Sequence, residues 1–149
     1  MILAVRHAGV VVTDMGRSLR FYRDLLGLRI VDERQEFGEY AETLLALDRV
    51  HVHTVKLAAG SGPTLLELLH FRSHPRTIEL EREVCSVGPT HVALTVDDVD
   101  FEYRRLTQAG VPFVAPPQRS PDGRAKVTFC RDPDGALIEL VEVARLAQD

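Results

Sequence analysis

Residues 7–31, HAGVVVTDMGRSLRFYRDLLGLRIV, and residues 91–114, HVALTVDDVDFEYRRLTQAGVPFV, are two copies of one pattern once a single residue is skipped before the glycine. His7 falls on His91, Val10 on Leu94, Val12 on Val96, Asp14 on Asp98 and Gly27 on Gly110. A second match closes each copy: Leu65-Leu66-Glu67-Leu68-Leu69 lies on Leu137-Ile138-Glu139-Leu140-Val141. Repetition at a fixed spacing means two like modules, each with a histidine near its start and a glutamate near its end. One His and one Glu from each of two modules are what a shared divalent-metal site needs.

Working outward from the repeats, residues 3–12 are rich in small and β-branched apolar types and read as a mostly buried strand containing His7. Asp14 then stands where a helix N-cap belongs, Leu19, Tyr22, Leu25 and Leu26 recur at helical spacing, and Gly27 is placed as the C-terminal stop. Asp98, Phe101, Leu106, Ala109 and Gly110 repeat the arrangement. LRIVDERQ, HVHTVKLAA and TLLELLHF read as the remaining strands of the first half, AKVTFC and ALIELVEV as strands of the second, so each half is βαβββ. Asp132-Pro133-Asp134-Gly135 marks the last turn, and Gly60-Ser61-Gly62-Pro63 takes the same place earlier. Glu67 follows His7 by 60 residues, whereas Glu139 follows His91 by 48. The surplus is placed at EFGEYAETLLALD, residues 36–48, where Tyr40, Leu44 and Leu47 suit a short amphipathic helix covering one rim of the site. Residues 71–89 are the connector, with a helical turn expected at 77–84, and residues 116–124 read as a mobile loop.

Composition describes the chain these modules sit in. With 149 residues, 45% hydrophobic and 27% charged, the whole chain fits one globular domain, 1–149, of module 1 (about 1–70), connector (71–89) and module 2 (about 90–144). The net charge of -4 and the interspersed acids and bases give no footprint for nucleic acid. No apolar run reaches the length of a membrane span, and the cytoplasm is the expected location. Cys85 and Cys130 lie far apart and read as two ordinary thiols.

Strand alternation sets Glu67 on one face with Leu65 and Leu69, and Leu66, Leu68 and His70 on the other. Glu139 has the same setting between Leu137 and Val141. A carboxylate among leucines needs a cation, hydrogen bonds or a metal, because burying it uncompensated is costly. His51 and His53 share one face of their strand and read as a solvated or dimer-facing pair, His70 and His74 as structural, and Phe21, Tyr22 and Phe101 as helix packing.

The pattern resembles the vicinal oxygen chelate superfamily, also called the glyoxalase/bleomycin-resistance/dioxygenase group. The resemblance rests on His7 with VVVTDMGRSLRFYRDLLGL, LLELL around Glu67, His91 with VALTVDDVD, and DPDGALIELVE around Glu139. It implies an α+β fold in which two paired βαβββ modules form a curved mixed sheet with helices on its outer face. It also implies that His7, Glu67, His91 and Glu139 ligate one divalent ion. Two imidazoles and two carboxylates suit Zn, Ni, Co, Mn or Fe(II) better than Mg or Ca.

What the resemblance implies about activity turns on residue 67. Family members with a His/Glu/His/Glu set resemble isomerases and lyases such as glyoxalase I or methylmalonyl-CoA epimerase, in which a ligand glutamate serves as the base. Glu67 and Glu139 are the candidates for that role here. Ring-cleaving dioxygenases of the superfamily resemble a His/His/Glu pattern instead, so an Fe(II) oxygenase acting on an aromatic or polyketide-like substrate is the alternative. A metal-free protein that binds a drug or metabolite is the third reading, and relatives of that kind lack the metal set. A small-molecule substrate and a homodimer are the partners implied.

Overall fold

The structure, a computed structural model, describes residues 1–60, 62–75, 85 and 87–144. Two compact units divide the chain, Met1–Glu79 and Leu80–Asp149, and the division falls inside the expected connector. The helical turn expected at 77–84 lies outside the described residues.

The first unit runs β1 (His7–Val11), α1 (Met15–Leu19), β2 (Arg29–Phe37), α2 (Glu39–Leu45), β3 (His51–Ala58) and β4 (Leu65–Phe71). The second runs β5 (His91–Thr95), α3 (Val99–Gln108), β6 (Gln118–Arg119), β7 (Ala125–Arg131) and β8 (Leu137–Val143). Each unit holds one four-stranded mixed sheet, ordered β1-β4-β3-β2 in the first and β5-β8-β7-β6 in the second. In both, the first strand pairs in parallel with the last, and the three later strands form an antiparallel meander. The fold is α+β, as the repeats indicate.

The helix after each first strand starts and stops as its residues dictate. Asp14 and Asp98 are extended, and their carboxylates accept the backbone N–H groups of Arg17 and Phe101 at 2.8 Å. Gly27 and Gly110 end the helical segments at φ of 75° and 85°, a left-handed conformation that glycine adopts at least cost. The residue skipped in the sequence match has a structural counterpart. After α1 the helix widens into a π-helical stretch, Arg20–Leu25, and Leu26 donates to Phe21 O, five residues back. α3 has no such stretch.

Packing follows the strand parity. Leu57 pairs with Leu66 and Val55 with Leu68, all four at 5% exposure or less on one face of the first sheet. α1 lies against β4, and Met15, Phe21 and the fully buried Tyr22 add to this layer. In the second unit Ile138 and Leu140 of β8 are buried with Val99 and Leu106 of α3. Each large apolar side chain so buried contributes about 1.5–3 kcal/mol relative to exposure.

Several expectations need correction. The first strand does not span residues 3–12 and is not mostly buried: it begins at His7, and Leu3 and Val5 are exposed. β1 is an edge strand, and the N-terminal end of β4 offers only Leu65 N–H to Arg6 O and the Thr64 hydroxyl to Val5 O. On α2 the buried residue is Ala41, while Tyr40 and Leu44 are exposed; one position along a helix is about 100° of rotation. Phe101 is exposed because the buried stripe of α3 runs through Val99 and Leu106. Within residues 116–124, Gln118 and Arg119 form β6, paired with β7. His53 is not solvated: it is buried, with Nε2 2.7 Å from Glu33 Oε1, because β3 is an interior strand between β2 and β4. His51 Nε2 lies 2.9 Å from Gln35 Oε1. Phe21 and Tyr22 are packing residues, as expected.

Candidate metal centre

Register brings each histidine to its own glutamate. In the first unit Gly9 stands opposite Glu67 and His7 opposite Leu65, so His7, two residues before Gly9, shares the Glu67 face. His7 Nε2 lies 3.1 Å from Glu67 Oε2. In the second unit Ala93 stands opposite Glu139 and His91 opposite Leu137, and His91 Nε2 lies 3.2 Å from Glu139 Oε2. Both histidines open their strands. Two donors bound at right angles to one ion at about 2.1 Å stand about 3.0 Å apart, so each pair has the spacing that adjacent ligands require. Each unit offers two donors, and among the described residues no group of three or more His, Cys, Asp or Glu side chains that could hold an ion is found.

The two pairs sit in different surroundings. Both carboxylate oxygens of Glu67 are engaged: Oε2 by His7 and Oε1 by Lys56 Nζ at 3.4 Å. Lys56 stands directly opposite Glu67 in the β3–β4 register and opposite Asp32 in the β2–β3 register, 3.7 Å from Asp32 Oδ2. Arg34 Nε meets the same Asp32 carboxylate at 2.9 Å, and that hydrogen bond, ahead of the attraction of Arg34 and Lys56, holds the Asp32 carboxyl below its usual value. In the second unit the place of Lys56 is taken by Phe129, opposite Glu139, with its ring edge-to-face on His91 at 5.3 Å. Among the described residues of that unit Glu139 is paired through Oε2 alone. Thr90 Oγ1 lies 2.8 Å from His91 Nδ1, a contact that fixes the ring and turns Nε2 toward Glu139.

Lys56, Phe129 and Thr90 are neighbours of the two His–Glu pairs that the sequence pattern did not expose. Lys56 could have been found by counting back from the Gly60–Pro63 turn, since the β3–β4 hairpin sets Ala58 opposite Leu65 and therefore Lys56 opposite Glu67. His51 and His53 lie on the other face of β3 from Lys56 and make no part of this site.

The family model described as Glyoxalase/Bleomycin resistance protein/Dioxygenase superfamily matches residues 4–140. The chain belongs to this superfamily. A lactoylglutathione lyase of Pseudomonas putida is 30% identical over an alignment 147 residues long, gaps included, that covers 91% of this chain and 83% of that protein. A glyoxalase family protein from Bacillus cereus superposes with a TM-score of 0.86 at 24% identity, covering 96% of this superfamily member and 95% of the other chain. TnmS3, an antibiotic binding protein from Streptomyces, superposes at 0.66 with 21% identity, covering 96% and 98%. These two structures share the fold. No helix among the described residues of this superfamily member is long and apolar enough to cross a membrane.

Proposed function

We propose that this chain is a divalent-metal-dependent enzyme of the lyase or isomerase type, similar to glyoxalase I, acting on a small molecule that carries a carbonyl beside the carbon losing its proton. The observation that carries this reading is the pair of matched contacts, His7 with Glu67 at 3.1 Å and His91 with Glu139 at 3.2 Å, at equal register in two sheets. The similarity to a lactoylglutathione lyase at 30% identity supports it.

His7, Glu67, His91 and Glu139 are the residues that would hold the ion, and two imidazoles with two carboxylates suit Zn, Ni, Co, Mn or Fe(II). Bound there, the ion supplies Lewis acidity toward oxygen. The proton transfer belongs to a glutamate. Glu139 is the better placed of the two, since one of its oxygens has no partner among the described residues of its own unit whereas both oxygens of Glu67 are engaged. Its carboxylate takes the proton from the carbon next to the carbonyl and returns it to the neighbouring carbon, so no redox partner is needed. Phe129, packed against His91, shields that side of the pair from water.

The test is metal uptake followed by exchange. Protein loaded with Ni, Co or Zn and freed of excess ion is expected to retain metal and to catalyse solvent-deuterium incorporation into the hemithioacetal of methylglyoxal and glutathione, or into an acyl-CoA with an acidic α-carbon. Absence of bound metal overturns the reading. Oxygen consumption with iron alone, without exchange, would instead assign an oxygenase.

A further inference from the structure

Lys56 is an anomaly in the symmetry of the two halves. At the position directly opposite the glutamate, one half carries an aromatic ring and the other an ammonium. Lys56, Glu67, Asp32 and Arg34 share one face of the first sheet, the face that also carries His7. The Lys56 side chain is 21% exposed.

The ion pairs that join this row set two cations, Arg34 and Lys56, against two carboxylates, Asp32 and Glu67. Arg34 holds Asp32 closely, at 2.9 Å, and Lys56 reaches Asp32 only at 3.7 Å and Glu67 at 3.4 Å. Once Glu67 gives its charge to a divalent ion, Arg34 and Lys56 share Asp32 alone. One positive charge is then uncompensated beside the ion, and its bearer is the less tightly held of the two. A half-buried cation left so is costly without a counter-charge.

We propose that Lys56 is a substrate-binding residue that receives an anionic group, so that the substrates of this protein are 2-oxo or 2-hydroxy carboxylates or molecules carrying a comparable anion next to the chelating oxygens. This inference rests on the reading of the four residues as metal ligands. In the second unit the equivalent register position carries the apolar ring of Phe129, so only the first unit offers a cation at this position.

The experiment uses the whole chain loaded with Mn(II) and compares pyruvate with pyruvamide, which have the same vicinal oxygens and differ by one charge. Binding is read from the loss of water-proton relaxation enhancement at fixed ionic strength, and metal content is measured separately. The wild-type protein is expected to prefer pyruvate, and Lys56→Met to reduce the pyruvate-to-pyruvamide affinity ratio about tenfold with Mn(II) retained, while Lys56→Arg keeps most of the preference. An unchanged ratio in metal-loaded Lys56→Met overturns the role of Lys56 and leaves the metal site standing. Loss of Mn(II) from Lys56→Met with retention in Lys56→Arg makes Lys56 a support for Glu67 and also overturns it. No Mn(II) uptake by the wild type overturns the reading beneath. Should Lys56→Met fail to fold, Lys56→Gln carries the same comparison.

Discussion

Glu67 and Glu139 occupy equivalent register positions, one opposite Gly9 and the other opposite Ala93, yet Glu67 is 8% exposed and clasped through both oxygens while Glu139 is half-buried and paired through one. Duplication supplied two like carboxylates, and their neighbours have made them unlike. Glu139→Gln is therefore expected to lower the exchange rate by about 10²–10⁴-fold while the protein still takes up metal. Glu67→Gln is expected to act first on metal content. Steady-state rates and metal analysis on the same preparations check this, and the opposite pattern would reassign the base to Glu67.

The Thr90 hydroxyl is expected to tune metal binding through His91. Removing it in Thr90→Ala leaves Nδ1 without its partner and should weaken metal affinity by about 10–100-fold, with Thr90→Ser close to wild type. Competition with a chromophoric chelator reads the difference. Equal affinities in all three proteins would show that the ring is held by packing on Phe129 alone.

A stabilising change is available at the end of α2. Ala46 is in the left-handed region at φ 52° and ψ 42°, where its Cβ crowds the following carbonyl. Ala46→Gly should raise stability by about 0.5–1 kcal/mol, part of the gain being offset by the freer unfolded chain. Urea denaturation measures it.

Acid sensitivity follows from Asp14 and Asp32. The Arg17 backbone N–H holds Asp14 below its ordinary value of 3.8, and the Arg34 side chain does the same for Asp32. Because both are lowered in the folded state, their contribution is fully present above the ordinary value and is lost as the pH falls through the folded one. Urea midpoints should fall between about pH 5 and 2, and less steeply in Asp14→Asn, which keeps a cap acceptor without the charge.

The two cysteines are expected to differ in reactivity. Cys85 is exposed, while burial pushes the Cys130 thiol up to about 12. A native thiol assay should count one fast group, lost in Cys85→Ser, and a second only on unfolding.

Much of the fold was legible because the repeat carries its own punctuation. Asp14 and Asp98, Gly27 and Gly110, and the leucine-flanked glutamates each have a local physical reason for where they stand. The helix faces were harder to read: Tyr40, Leu44 and Phe101 look like core by residue type, and burial went instead to Ala41 and Val99, with Leu106 buried as its spacing indicated. The histidine–glutamate pairing within each half follows from strand parity and parallel register. Lys56 was missed because its position depends on counting through a hairpin, and Thr90 because a lone threonine before a histidine carries no signal until the ring nitrogen is seen to face it.

The widened stretch over Arg20–Leu25 bears on how the two halves tolerate a difference in length. Asp14 to Gly27 is one residue longer than Asp98 to Gly110, and the first half absorbs that residue as a bulge in the helix while cap and stop keep their roles. The halves thus differ here by a single residue, which the first carries as a loosened coil of backbone. Removing one residue from that coil should return the first helix to the form its twin retains.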